Sequence, residues 1–191
     1  MSKNKIRISS ATSKVALLGI LGALALVLAF LENLLPAVPG LPPGAKLGLA
    51  NIVTMFAAYA LGFFPAIGVT IIKAAFAGVT RGLIAFCMSL AGGVLSTVVM
   101  VLLMRLRRNP FGILGISIAS AAAFNAGQLA VACIISGTPA LVTGYGPLLL
   151  LFAVLTGAVT GTVLRIVLPA LEKQSSKFGL ELLYSPKHKD D

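Results

Sequence analysis

The sequence predicts an all-α integral membrane protein of six helices with both termini in the cytoplasm. Three observations carry that expectation. The chain is 58% hydrophobic and only 10% charged over 191 residues, with a mean hydropathy of +1.03. A soluble domain of this size carries roughly a quarter charged residues, so lipid is the only solvent that suits this exterior. The apolar residues also come in runs long enough to cross a bilayer, about 20 residues each as helix. The Lys and Arg residues fall almost wholly on one side of the resulting map.

Six spans follow from where the runs break. The first covers about 14–35. A signal peptide has a shorter apolar region followed by small residues at a cleavage site. Val15 to Leu31 is uncharged for longer and no such site follows, so the segment is expected to remain as a span. Next, Leu35 to Ile52 holds Pro36, Pro39, Pro42 and Pro43 with Gly40, Gly44 and Gly48. Proline removes backbone donors and glycine favours turns, so this stretch reads as a structured loop at the membrane surface.

Leu47 to Thr80 is too long for one crossing, and Leu61-Gly62-Phe63-Phe64-Pro65 divides it into spans at about 47–61 and 64–80. Arg81-Gly82 makes the next turn, and a fourth span covers about 83–104. The uncharged stretch from Asn109 to Leu164 must also divide. Ser136-Gly137-Thr138-Pro139 and Gly144-Tyr145-Gly146-Pro147 mark that break, giving spans at about 111–135 and 147–168. The chain then reads as a basic N-terminus over 1–13, one membrane domain over 14–171 and a polar tail over 172–191.

Cytoplasmic loops carry an excess of Lys and Arg. With the N-terminus inside, the inner side receives Lys3, Lys5, Arg7, Lys14, Arg105, Arg107, Arg108, Arg165, Lys173, Lys177, Lys187 and Lys189. The outer side receives Lys46 and Arg81. This bias, with attraction to anionic membrane lipid, accounts for the formal charge of +10. The chain has no Trp and no basic helix interleaved with aromatics, so no nucleic-acid partner is expected.

Polar side chains within spans are costly and tend to mark function. Here Glu32, Asn51, Lys73, Arg81, Asn125 and Gln128 all fall at mid-membrane or in the outer half. The inner half has only Arg165 at its edge. This asymmetry predicts a polar pocket opening outward beneath the Pro/Gly loop. Lys46, Lys73 and Arg81 make it electropositive and suited to an anionic or strongly polar ligand. Asn125 and Gln128, spaced i, i+3, share a helix face and can both donate and accept. Either could instead bond between helices, and Lys73 could pair with Glu32.

Several chemistries are disfavoured. Of five acidic residues, only Glu32 is outside the tail, and the one His is His188. No metal site, cofactor or catalytic residue is expected, and no phosphate-binding loop of an ATPase is present. Cys87 and Cys133 sit in apolar runs and read as small hydrophobes. The protein is expected to bind rather than catalyse, and to depend on partners for energy. The spans are rich in small residues, which let helix backbones approach closely in lipid. On the first span these are Ala16, Gly19 and Ala23, with Gly22, Ala25 and Ala29. Gly157 and Gly161 form a G-x-x-x-G pair on the sixth.

The run Leu41-Pro-Pro-Gly-Ala-Lys-Leu-Gly-Leu-Ala-Asn-Ile52, then Ser89-Leu-Ala-Gly-Gly93 and Asn125-Ala-Gly-Gln128, resembles a bacterial membrane family. That family is labelled heptaprenyl diphosphate synthase component I, or Gx transporter family, and the similarity runs from about Lys14 to Leu171. It is similar to the substrate-binding S components of energy-coupling factor (ECF) transporters in the cell membrane. The resemblance implies an outward pocket capped by the loop between the first two helices, with Lys46 and Asn51 at that cap and Asn125 and Gln128 on the pocket wall. It also implies a face made of Ala16, Gly19 and Ala23 that docks a transmembrane coupling protein, itself joined to two ATPase subunits. The family often has His before the Asn of Asn-x-Gly-Gln; here that residue is Phe124. Trans-prenyl synthases hold magnesium diphosphate with aspartate-rich motifs, whereas the only Asp-Asp here is Asp190-Asp191. The alternative reading is a non-transport membrane subunit serving flavin or quinone redox chemistry or prenyl-lipid metabolism.

Overall fold

The computed structural model describes residues 11–34, 48, 50–105 and 112–178, with side-chain surroundings for those between 15 and 167. All regular structure among these is helical. The six helices are α1 (Ala11–Leu34), α2 (Asn51–Leu61), α3 (Phe63–Arg81), α4 (Leu83–Arg105), α5 (Gly112–Ser136) and α6 (Ala140–Phe178). Five are long and apolar enough to cross a membrane, which makes this a multi-pass membrane protein. The exception is α2. At 11 residues it rises only about 16 Å, so it does not make the full span expected over 47–61.

The reason α2 is stable at that length is its position. It packs against α1, α3, α4 and α6, and Val53, Thr54, Met55, Ala57, Ala58, Tyr59 and Ala60 are all buried. Protein rather than lipid surrounds it, so bilayer thickness does not set its length. The other helices follow the chain in neighbouring pairs, α3 on α4, α4 on α5 and α5 on α6. Within the described residues α1 makes its main contacts with α2 and α3 alone.

Two single-residue turns place α2, α3 and α4 side by side. Gly62 has φ 94° and ψ −168°, ends α2 and starts α3, and donates its N–H to the carbonyls of Ala57 and Ala58. Gly82 has φ 91° and ψ 178° and does the same between α3 and α4, donating to Gly78. This backbone region is essentially closed to any residue with a Cβ. Pro65 falls in the first turn of α3, where the missing N–H would have had no helical partner.

The sixth helix differs from the expectation in both directions. It begins at Ala140, not near Pro147, and continues to Phe178, taking in part of the tail expected to start at 172. Gly144, Gly146 and Pro147 look like a break, but breakers are tolerated in membrane helices where neighbours resatisfy the backbone.

Lipid gives apolar side chains no reason to leave it, so close packing and polar contacts hold such bundles together. Gly127 of α5 lies against Gly92 of α4: a Cβ on Gly127 would sit 2.7 Å from the Gly92 Cα. A Cβ on Gly157 would sit 2.5 Å from the Cα of Ile118, and one on Gly161 3.1 Å from that of Leu114. The G-x-x-x-G pair therefore faces α5 inside the molecule. Hydroxyls bridge the same seams. Ser96 and Ser120 are 2.7 Å apart between α4 and α5, and Thr70 and Thr97 are 3.3 Å apart between α3 and α4.

Candidate functional site

Alternating helix direction brings one set of helix ends together: the C-terminal ends of α1, α3 and α5 and the N-terminal ends of α2 and α4. The polar residues of the spans gather there. Around one cavity stand Glu32 of α1, Gly48 and Ala50 before α2, Lys73 and Arg81 of α3, Ser89 of α4, and Phe124 and Gln128 of α5. Ala29 and Ala77 complete its wall. Lys73, Ser89 and Gln128 sit about 9–12 Å in from the ends of their helices and Phe124 about 18 Å, at 1.5 Å per residue, so these four form its deeper part.

Each charged group has a defined setting. Lys73 is buried, with 5% of its surface exposed, and its ammonium donates a hydrogen bond to Asn51 Oδ1. It also lies 5.3 Å from the centre of the Phe124 ring, within the range of cation–π attraction. Glu32 is also buried, and its Oε1 accepts the backbone N–H of Gly48 at 2.5 Å. Arg81 lines the same cavity as Glu32 and carries the opposite charge. Lys73 thus bonds Asn51, while Glu32 is engaged by Gly48.

Gly48 joins these groups. Its φ of 83° is left-handed, and its carbonyl accepts the Asn51 N–H at 2.8 Å. A Cβ there would meet the Asn51 side chain at 3.2 Å and the Phe124 ring at 3.3 Å. Glycine is therefore required both by conformation and by the close fit against Phe124.

Asn125 takes another role. Its Nδ2 donates to the Leu149 carbonyl of α6 at 2.8 Å. It is buried, but it ties α5 to α6 rather than lining the cavity with Gln128. Lys46 and the Pro/Gly loop lie outside the described residues. On α1, Ala16, Gly19 and Ala23 are exposed, whereas Gly22, Ala25 and Ala29 are buried. The helix thus has two small-residue faces, one inward and one outward. The inward face carries the α1–α3 contact, where Ile72 fits against Gly22 and Leu18 against Gly68.

The site also includes residues that single-residue chemistry did not mark: Gly48, Ser89, Phe124 and the three alanines. Phe124 and Ser89 fall within or beside the motifs quoted above. Spacing alone does not separate a pocket phenylalanine or serine from a packing one. Among the described residues no three His, Cys, Asp or Glu side chains come together as a metal site would need. Cys87 and Cys133 are both free thiols.

A helical bundle with a charged cavity at one end and lipid-facing apolar sides belongs to the multi-pass membrane proteins with a built-in polar site. Residues 21–167 match the family model described as heptaprenyl diphosphate synthase component I. The chain belongs to that family. No curated protein and no solved structure gives a significant match.

Proposed function

We propose that this protein is the membrane-embedded substrate-binding component of an ECF-type transporter, in a bacterial cell membrane. It captures a small polar or anionic ligand of the micronutrient kind from outside the cell. The observation that carries the reading is Lys73. An ammonium held about 12 Å below the end of its helix is expensive in a membrane protein unless it serves a ligand or pathway. Here it lies at a cavity shared with Glu32, Arg81 and Gln128. The inside-positive charge bias supports an outward-facing orientation of that cavity.

Energy coupling would come from partners. The outward small-residue face at Ala16, Gly19 and Ala23 suits close docking of a transmembrane coupling protein, which would bring two ATPase subunits. Tagged protein expressed with candidate coupling proteins and ATPases should copurify with them and take up ligand in an ATP-dependent way. Failure to copurify in a host that encodes such partners would sink the transporter reading.

The family's description, a component of heptaprenyl diphosphate synthase, favours a second reading as a non-catalytic subunit in prenyl-lipid metabolism, or in flavin or quinone chemistry. The sequence bears against catalysis on a diphosphate, because its only adjacent aspartates are Asp190-Asp191. Binding measurements in detergent with vitamins, flavins and prenyl diphosphates separate the two readings.

A further inference from the structure

The charged cavity contains a carboxylate already, that of Glu32. Its environment describes what the site is built to hold. Glu32 stands two residues before the last residue of α1, about 3 Å along the axis from the helix end. A charged side chain so placed could turn outward to the polar interface, as long charged side chains near helix ends do. It turns inward instead and is 7% exposed. Its Oε1 accepts the Gly48 N–H, and the Arg81 guanidinium lines the same cavity. A backbone donor and a guanidinium on one cavity are the kinds of group that recognise a carboxylate.

Charge and space add two constraints. Lys73 and Arg81 carry two positive charges at this cavity against one negative charge on Glu32. The described lining therefore attracts anions and repels cations. The cavity beside Glu32 offers about 20 Å³ to the centres of water molecules, room for a water or two. A ligand carboxylate that takes the Gly48 N–H must therefore take the place of the Glu32 carboxylate.

We propose that this cavity is a carboxylate seat that Glu32 fills in cis, and that the ligand is a carboxylic acid whose carboxylate displaces Glu32 from Gly48, beside Arg81. The proposal rests on the reading of this cavity as a ligand site and adds the chemical class of the ligand. Glu32 is then an internal competitor. Its displacement also frees the C-terminal end of α1 from Gly48, at the turn that leads into α2.

The test uses the full-length protein in detergent, with benzoate, its neutral isostere benzamide and inorganic phosphate as calorimetric probes. The substitution Glu32→Gln retains an oxygen to accept the Gly48 N–H and removes only the competing charge. Wild type should bind benzoate at least about tenfold tighter than benzamide. Glu32→Gln should tighten benzoate about tenfold further and benzamide by less, because the internal competitor loses its charge for both, whereas repulsion from a like charge is removed for benzoate alone. Glu32→Ala, read beside it, controls for loss of the Gly48 contact and should also bind benzoate more tightly than wild type. The proposal is overturned if benzoate fails to bind at tens of millimolar, if benzamide binds within twofold of benzoate, if phosphate binds more tightly than benzoate, or if Glu32→Gln weakens benzoate. Lys73→Met separates this failure from failure of the site itself. If benzamide or phosphate binds and Lys73→Met abolishes it, the cavity is a ligand site for another class. If no probe depends on Lys73, the ligand-site reading falls too.

Discussion

Lys73, Asn51 and Phe124 form the contact set on which ligand recognition should depend. Lys73→Met keeps most of the buried stem and removes the ammonium. It should cost a ligand at least about tenfold in affinity, because a hydrogen bond to a charged group contributes about 1.5–3 kcal/mol. The protein should stay folded with a moderately lower melting temperature, since Asn51 Oδ1 loses a donor, a cost of about 1–3 kcal/mol, while the desolvation cost of the ammonium is removed; unchanged affinity in a direct binding titration would remove Lys73 from the site. Asn125→Ala should behave in the opposite way. It removes the bond to the Leu149 carbonyl and should lower stability by about 0.6–1.7 kcal/mol, the scale of interhelical bonds in membranes. Its effect on ligand affinity should be under about threefold, as titration and thermal melts on one sample would show. Asn125 and Gln128 gave the same signal in the sequence, an amide in an apolar span. At 100° per residue they point about 60° apart, which on a helix wedged between α4 and α6 is enough to send one to a neighbouring backbone and the other to the cavity. Glu32, Lys73 and Arg81 were readable because charge in a membrane span is costly wherever it occurs. Ala29, Gly48, Ser89 and Phe124 were not marked as site residues, because their chemistry is the same in a pocket wall as in a packing seam.

Small residues do two different jobs in these helices. Gly127 has no room for a side chain: its Cβ would lie 2.9 Å from the Ala91 carbonyl oxygen and from the Gly92 nitrogen, both main-chain atoms that cannot rotate away. Gly127→Ala should therefore push α4 and α5 apart and destabilise the protein by at least about 1–3 kcal/mol, the range for overpacking. The measurement is the monodisperse yield and melting temperature in detergent. Gly19 has nothing within 4 Å of an added Cβ, and Ala16 and Ala23 are exposed beside it. Gly19→Leu combined with Ala23→Leu should leave the melting temperature within about 2 °C of wild type, as expected for surface changes. The pair should nevertheless abolish copurification of the coupling protein; retention of that partner would show that the outward face of α1 is not the docking surface. At this scale the sequence was most informative about turns. Gly62 and Gly82 were visible because a one-residue turn between helices needs a backbone conformation that only glycine enters freely. It was least informative about α2 and the start of α6. Burial among four helices determines the length of α2, and contacts with neighbours carry α6 through Gly144, Gly146 and Pro147, so neither boundary is written locally.

The assembly has a direction. Glu32, Asn51, Lys73, Arg81 and Gln128 gather at one end of the bundle, and the basic residues Arg105 and Arg165 lie toward the other. Lys and Arg near span ends resist translocation, so the polar end should face outward and the C-terminal part of α6 inward. Helix α6 runs 39 residues, about 58 Å at 1.5 Å per residue, nearly twice the hydrocarbon thickness of a bilayer of about 30 Å. If Ala140 lies near the outer surface, the residues after Val167 must project beyond the inner one. Two single cysteines test this in a chain whose own Cys87 and Cys133 are replaced by alanine. Thr138→Cys lies in the exposed α5–α6 turn, and Ser176→Cys lies nine residues past Val167 on α6. A membrane-impermeant maleimide added to intact cells should label Thr138→Cys and not Ser176→Cys. In inside-out vesicles the pattern should reverse. Labelling of both positions from one side would mean that α6 does not cross the membrane between them. A reversed pattern in intact cells would turn the cavity toward the cytoplasm, which no uptake component collecting ligand from outside could tolerate.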